Sequence, residues 1–226
     1  MTAAGDTFGR DVLERVWPTL FGDAPTLVER QAVQAVSRGE GGYGRAPYRL
    51  LSIPDGAVIS TVSDSNNWGA TQCGHGAPCG ATCFEATDTS PNKKTPDNPK
   101  GYYNTCFNRH ATPDDGCASY LKTLLVKRPS VREAVKTGDA DAIAAAMHAT
   151  HYFEGFGATV EERIANYAKA IESNASELAA SLGEALEVRR GGGGVPSSPS
   201  SPEPTPSEPR PGGSAGPFSC SSGSEP

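Results

Sequence analysis

The chain has 226 residues and a formal charge of −6, from 20 Lys and Arg against 26 Asp and Glu. That length suits one sizeable domain with some additional chain. An acidic balance without a basic face argues against a nucleic-acid partner. No run of about 20 apolar residues exists to form a transmembrane segment.

The N-terminus through Trp17 has no basic region followed by an apolar one, so no signal peptide is expected. Phe8, Val12, Leu13, Val16 and Trp17 recur at helical spacing and predict a helix over Asp6 to Phe21, with Pro18 stopping or kinking it. Thr26 and Glu29 form a capping box that opens the next helix. Leu27, Val28, Ala32, Val33, Ala35 and Val36 give that helix a broad apolar face. It runs into Gly39-Glu40-Gly41-Gly42-Tyr43-Gly44, where glycine ends helices readily. An apolar helix thus delivers one carboxyl group to a sharp turn with little side-chain bulk. A cleft wall that backbone and substrate approach closely has this form. A surface Glu at a glycine-rich helix end is the alternative.

Leu50, Leu51, Val58 and Ile59 flank Pro54-Asp55-Gly56 and predict a short hairpin. Asp64-Ser65-Asn66-Asn67-Trp68-Gly69 follows, a polar turn ending in a large aromatic. Asn donates and accepts hydrogen bonds and Trp stacks, so the turn suits a sugar-like ligand. An Asx-rich turn with a packed Trp is the other reading. Cys73 to Cys117 is the least regular section, with a long surface loop expected over Thr87 to Gly101. Cys73, Cys79, Cys83, Cys106 and Cys117 cluster among glycines and predict disulfides, which imply an oxidising compartment. Five cysteines leave one over unless Cys220 reaches back, and spacing does not give the connectivity. Zinc on Cys73, His75, Cys79 and Cys83 and free thiols are the competing readings.

From Ala111 the chain turns helical. Thr112-Pro113-Asp114-Asp115 is a strong helix start, with Leu121, Leu124 and Leu125 on the buried face. Ser130 and Glu133 cap a shorter helix that ends at Gly138, and Asp139 opens another with Ile143 and Met147 inside. His148 and His151 share a face, but no third ligand lies near, so no metal site is expected. Thr159 and Glu162 form a second capping box. The last helix buries Ile164, Tyr167, Ala168 and Ile171 and is expected to end at Arg189-Arg190. From Gly191 to Pro226 a glycine run gives way to Ser, Pro and Glu, a composition expected to be disordered.

Four stretches in this order resemble the lysozyme-like superfamily of peptidoglycan hydrolases, within it the flagellar and autolysin type of β-N-acetylglucosaminidase. QAVQAVSRGEGGYGR is similar to the helix that ends in that family's catalytic Glu. NNWGATQ is similar to the turn that lines its glycan cleft. FNRHATPDDGCASYLKTLL is similar to a strand-like piece leading into a helix. The stretch from SVREAVKTGDADAIAAAMHATHYFEGFG to RIANYAKAI resembles the late helices that return an aromatic to the cleft. Tyr152-Phe153-Glu154-Gly155 departs from the family's Tyr-Ala-Thr-Asp, and the cysteine-rich insert has no counterpart there.

The resemblance implies a mainly α, α+β lysozyme-like domain over residues 5–188, with a small irregular β and loop lobe, followed by the tail at 191–226. It implies cleavage of the β-1,4 glycan strand of peptidoglycan, with Glu40 as general acid; for the second role Asp64 is the candidate base, with the substrate's own N-acetyl group or hydroxyl as the alternative, and Tyr152 is the candidate to bind substrate or stabilise charge. Glu85 and Glu154 are further carboxylates to weigh. Tyr43, Asn66, Asn67, Trp68, Gln72 and Tyr167 are the expected substrate contacts. A muramidase, a lytic transglycosylase and a non-catalytic wall- or chitin-binding module are the rivals. No metal or organic cofactor is implied. A monomer is expected, acting at the cell wall or periplasm after non-classical delivery or as a phage-type lysin, with the tail meeting an export or virion partner.

Overall fold

The computed structural model describes residues 2–73 and 79–191. His75 and the tail beyond Gly191, with Phe218 and Cys220, lie outside the described residues. The chain divides into units 1–192 and 193–226. Among its described residues the first unit is α+β, with six α-helices and two small antiparallel sheets. Among the described residues, no helix is long and apolar enough to cross a membrane.

Helix α1 spans Ala3–Phe21, and Thr2 caps it by accepting from the Gly5 amide. Pro18 does not stop it. The proline sits in the last turn, where it removes one ladder bond, and its own carbonyl receives the Gly22 amide that closes the helix. Helix α2 spans Leu27–Glu40, with both halves of the Thr26/Glu29 capping box formed. Strands β1 (Tyr48–Leu51) and β2 (Val58–Val62) make the expected hairpin.

The next section corrects the sequence reading. Cys83 to Asn108 is no irregular loop but a second hairpin, β3 (Cys83–Thr89) against β4 (Tyr102–Asn108), in register from Cys83↔Asn108 to Thr89↔Tyr102. Only residues 90–101 connect the strands. Side chains alternate across a sheet, so Phe84, Ala86 and Asp88 share one face with Phe107, Thr105 and Tyr103 opposite them. Phe84, Ala86 and Phe107 are buried there with Tyr48, Val62 and Ala70 against them, forming a small second core.

Helix α3 spans Pro113–Leu121 behind the Thr112 cap and runs into π-helical turns over Lys122–Val126. Helix α4 is Pro129–Thr137, entered through Pro129 without a side-chain cap, so Ser130 lies inside the helix rather than capping it. Gly138 ends α4 in the left-handed conformation. Asp139 caps α5 (Ala140–Ala149) by accepting from the Asp141 and Ala142 amides. Helix α6 is Val160–Leu182, with the Thr159/Glu162 capping box formed. Gly183 ends it, earlier than Arg189-Arg190. The chain then runs back along the bundle, where Gln31 binds the Ala185 carbonyl and the Glu187 amide. Arg189 bridges Asp139.

The main core gathers Leu13 and Trp17 of α1, Val33 and Val36 of α2, Leu121, Leu124 and Leu125, Ile143 and Met147 of α5, and Ile171 of α6. Each such fully buried side chain contributes about 1.5–3 kcal/mol of transfer free energy. A buried ion pair ties α1 to α2. Arg38 Nε donates to Asp6 Oδ1 at 3.1 Å, and Tyr43 Oη donates to the same oxygen at 3.1 Å.

Disulfides Cys73–Cys83 and Cys79–Cys106 tie the segment before β3 to both strands of the second hairpin. This bears out the disulfide reading, and these cysteines are not thiolate ligands for zinc. Cys117 is a buried free thiol in α3. Among the described residues, no group of three or more metal-ligating side chains forms.

Candidate active site

Glu40 is the last residue of α2 and is half-buried. Tyr167 of α6 donates its hydroxyl to Glu40 Oε1. The Tyr167 ring is stacked on Phe153, with centroids 3.9 Å apart and planes 10° apart. Burial raises the Glu40 carboxyl above its ordinary value. The Tyr167 hydrogen bond opposes this by favouring the charged form, and the nearby Asp88 carboxylate adds to the rise. The carboxyl therefore holds its proton to higher pH than a free Glu does.

Asp88 reaches this point from β3, on the apolar face of the second hairpin. Gln72 Nε2 donates to Asp88 Oδ2 at 2.9 Å, Tyr103 Oη donates to the same oxygen at 3.2 Å, and the Thr89 amide donates to Oδ1 at 2.7 Å. Gln72 Nε2 also meets Tyr103 Oη at 3.0 Å, and Gln72 Oε1 accepts from Thr105 at 3.3 Å. Every polar atom of Gln72 is thus spent on holding the hairpin face.

Phenols surround the pair of carboxyls. Burial and the charge of Glu40 push Tyr152, Tyr167 and Tyr120 far above the usual phenol range, so all three stay protonated donors. Tyr152 Oη donates to the Gly69 carbonyl at 3.4 Å, and the Arg128 guanidinium lies 5.2 Å from its ring centre. Ser90 donates to Glu154 at 2.9 Å, joining the end of the hairpin to the loop after α5. Two surface hollows, of about 160 and 390 Å³, are lined by other residues and include neither carboxylate.

Of the expected site residues, Glu40, Tyr152, Tyr167 and Gln72 come together. The others do not. Tyr43 is fully buried, with its hydroxyl on Asp6 and its ring 5.5 Å from Trp68. Trp68 is fully buried between Tyr43 and Tyr120. Neither has surface left for a glycan. Asn67 is buried, and its side chain closes the turn onto Thr71 with three hydrogen bonds. Asn66, half-buried, donates to the His110 carbonyl. Asp64 points outward with 73% of its side chain exposed, 3.9 Å from Arg45. Glu85 is exposed on the outer face of β3, and Glu154 is exposed beyond α5.

The polar-aromatic turn is therefore a plug behind the site. Ser37 of α2 donates to the Trp68 carbonyl at 2.7 Å, and Asn67 bridges Gly44. A Cβ on Gly41 would sit 2.4 Å from the Asn67 carbonyl oxygen, and one on Gly116 of α3 only 1.8 Å from that of Asn66. Gly41 and Gly44 make room for the chain's own backbone rather than for sugar.

Sequence reasoning missed Asp88 and Tyr103. Their signal was present as period-two alternation: Phe84, Ala86, Asp88 and Tyr103, Thr105, Phe107 each set a polar group on an otherwise buried face. No family model, curated protein or solved structure matches the chain.

Proposed function

We propose that the chain is a glycoside hydrolase acting on the β-1,4 glycan strand of peptidoglycan, with a lysozyme-like arrangement of helices around Glu40. One observation carries the reading. A half-buried carboxyl, raised by burial and hydrogen-bonded by the Tyr167 phenol, lies within electrostatic range of a second carboxylate on a β-hairpin. Glycosidases commonly work with two carboxyl groups flanking the bond they cleave.

Glu40 gives its proton to the glycosidic oxygen as the bond from that oxygen to the anomeric carbon breaks. Asp88 takes a proton from the attacking water, whose oxygen bonds to the anomeric carbon. Asp88, rather than the outward-facing Asp64, is assigned the second role because its charge acts on the Glu40 carboxyl. Tyr167 orients the Glu40 carboxyl through its hydrogen bond, and the hydroxyl oxygen of Tyr152 is the neutral group assigned to the developing positive charge. The choice of peptidoglycan and of the N-acetylglucosaminyl bond comes from the sequence resemblance.

Paired variants test the assignment. Asp88→Asn is expected to lose at least about a hundredfold in glycan cleavage, the range typical of a lost general base. Asp64→Asn should cleave within about twofold of wild type, as a distant surface change does. The reverse ranking refutes the choice of Asp88.

A further inference from the structure

One aromatic ring stands in water beside the site. Of the Phe, Trp and Tyr side chains among the described residues, only Phe156 is exposed, at 62%. It belongs to the loop between α5 and α6, whose other Phe turns inward. Phe153 is stacked on Tyr167 at 3.9 Å and meets the His148 ring at 5.5 Å. Gly155 makes the reversal between the two rings. Its φ of 73° is left-handed, and a Cβ there would sit 2.9 Å from the Phe153 ring and from Arg163 Cβ.

The loop is held on both sides of Phe156. Asn166 of α6 donates to the Phe156 carbonyl at 2.7 Å, and Arg163 Nε donates to the Gly157 carbonyl at 3.1 Å. Glu162 accepts from the Ala158 amide at 2.7 Å, and Glu154 accepts from Ser90 at 2.9 Å. Arg163 and Tyr167 are four residues apart, so they share a face of α6 with about 6 Å between them along its axis. Tyr167 in turn binds Glu40 through its hydroxyl. The Phe156 backbone is thus anchored beside the helical turn that reaches the candidate general acid. A singly exposed apolar residue is ordinary on a protein surface. Phe156 differs because its backbone is fixed next to Glu40 while its ring is left open to solvent.

A pyranose ring offers a face of C–H groups and keeps its hydroxyls at the edge, so an exposed aromatic can cover that face without stripping a polar group of water. We propose that Phe156 is a substrate-binding residue of this site, a platform on which a sugar ring of the glycan strand stacks beside the bond that Glu40 cleaves. The inference rests on the glycosidase reading above.

The test compares kcat, KM and thermal melting of wild type, Phe156→Ala and Phe156→Trp, using soluble glycan-strand fragments as substrate. Phe156→Ala is expected to raise KM at least about fivefold through the lost aromatic contact, with kcat within about twofold of wild type. Phe156→Trp should keep KM at or below the wild-type value. Both variants should melt with wild type, because the ring they replace is exposed. A wild-type KM in Phe156→Ala overturns the proposal. A lower melting temperature together with a fall in kcat assigns Phe156 to holding the loop and overturns it too. A wild type that cleaves no fragment overturns the glycosidase reading itself, an outcome distinct from equal KM values in active proteins.

Discussion

Tyr167→Phe probes the coupling between the Tyr167 phenol and the Glu40 carboxyl. The substitution keeps the ring stacked on Phe153, 3.9 Å away, and deletes only the hydroxyl bound to Glu40. A hydrogen bond to a charged group contributes about 1.5–3 kcal/mol. Glu40 is only half-buried, so water recovers part of that and about 1 kcal/mol should be lost where Glu40 is ionised. In a domain of this size that is about 3 °C of melting temperature. Where Glu40 is protonated the loss should be smaller, because the phenol then faces a neutral acid. The sign for activity follows from the same bond, which favours the carboxylate and so lowers the Glu40 pKa. Its removal raises that pKa further and moves the basic limb of the rate profile to higher pH. Turbidity clearance of purified walls, followed from about pH 4 to pH 9, reads the limb directly. A limb that stays in place or moves to lower pH refutes the coupling of Tyr167 to Glu40.

Asp88→Asn should move the residual activity the other way, because removing a like charge lowers the Glu40 pKa and carries the basic limb to lower pH; the same pH series checks it. Gly116→Ala drives a Cβ to 1.8 Å from the Asn66 carbonyl oxygen and should cost about 3 kcal/mol in a thermal melt, outweighing the roughly 1 kcal/mol that Ala gains in a helix. Replacing Cys79 and Cys106 by Ser opens a loop with a sequence separation of 27 and should cost about 3.5 kcal/mol. Hydrogen exchange should place that loss in β3 and β4 rather than in the helical core, which contains neither cysteine.

The helical half was legible because its signals are local. Thr26/Glu29, Thr112, Asp139 and Thr159/Glu162 each satisfy orphan amides within one turn, and each starts the helix it predicts. Ser130 failed because the first turn is set by Pro129, one residue earlier. The β3–β4 hairpin was less legible because its long connection and its cysteines mask two seven-residue strands whose pairing is non-local. The candidate site split along the same line. Glu40 is marked by the helix that ends in it. Trp68 and Tyr43 look like ligand contacts by residue type, yet the close approach of the turn to Gly41 and Gly116 turns both rings inward. Asp88 owes its place to a strand register, and a single sequence does not print that register.

The central claim is that Glu40 cleaves a glycan as a general acid. Purified peptidoglycan digested with wild type and with Glu40→Gln, then reduced with borohydride and read by mass spectrometry, tests it most directly. Gln keeps the size and a hydrogen-bonding oxygen for Tyr167 while removing the transferable proton. Wild type should release reduced N-acetylglucosamine ends and Glu40→Gln almost none, while remaining folded. Reduced muramic acid ends or anhydro ends would move the cleaved bond or the chemistry while leaving Glu40 in its role. Equal release by a folded Glu40→Gln, or no release by wild type, would contradict the account.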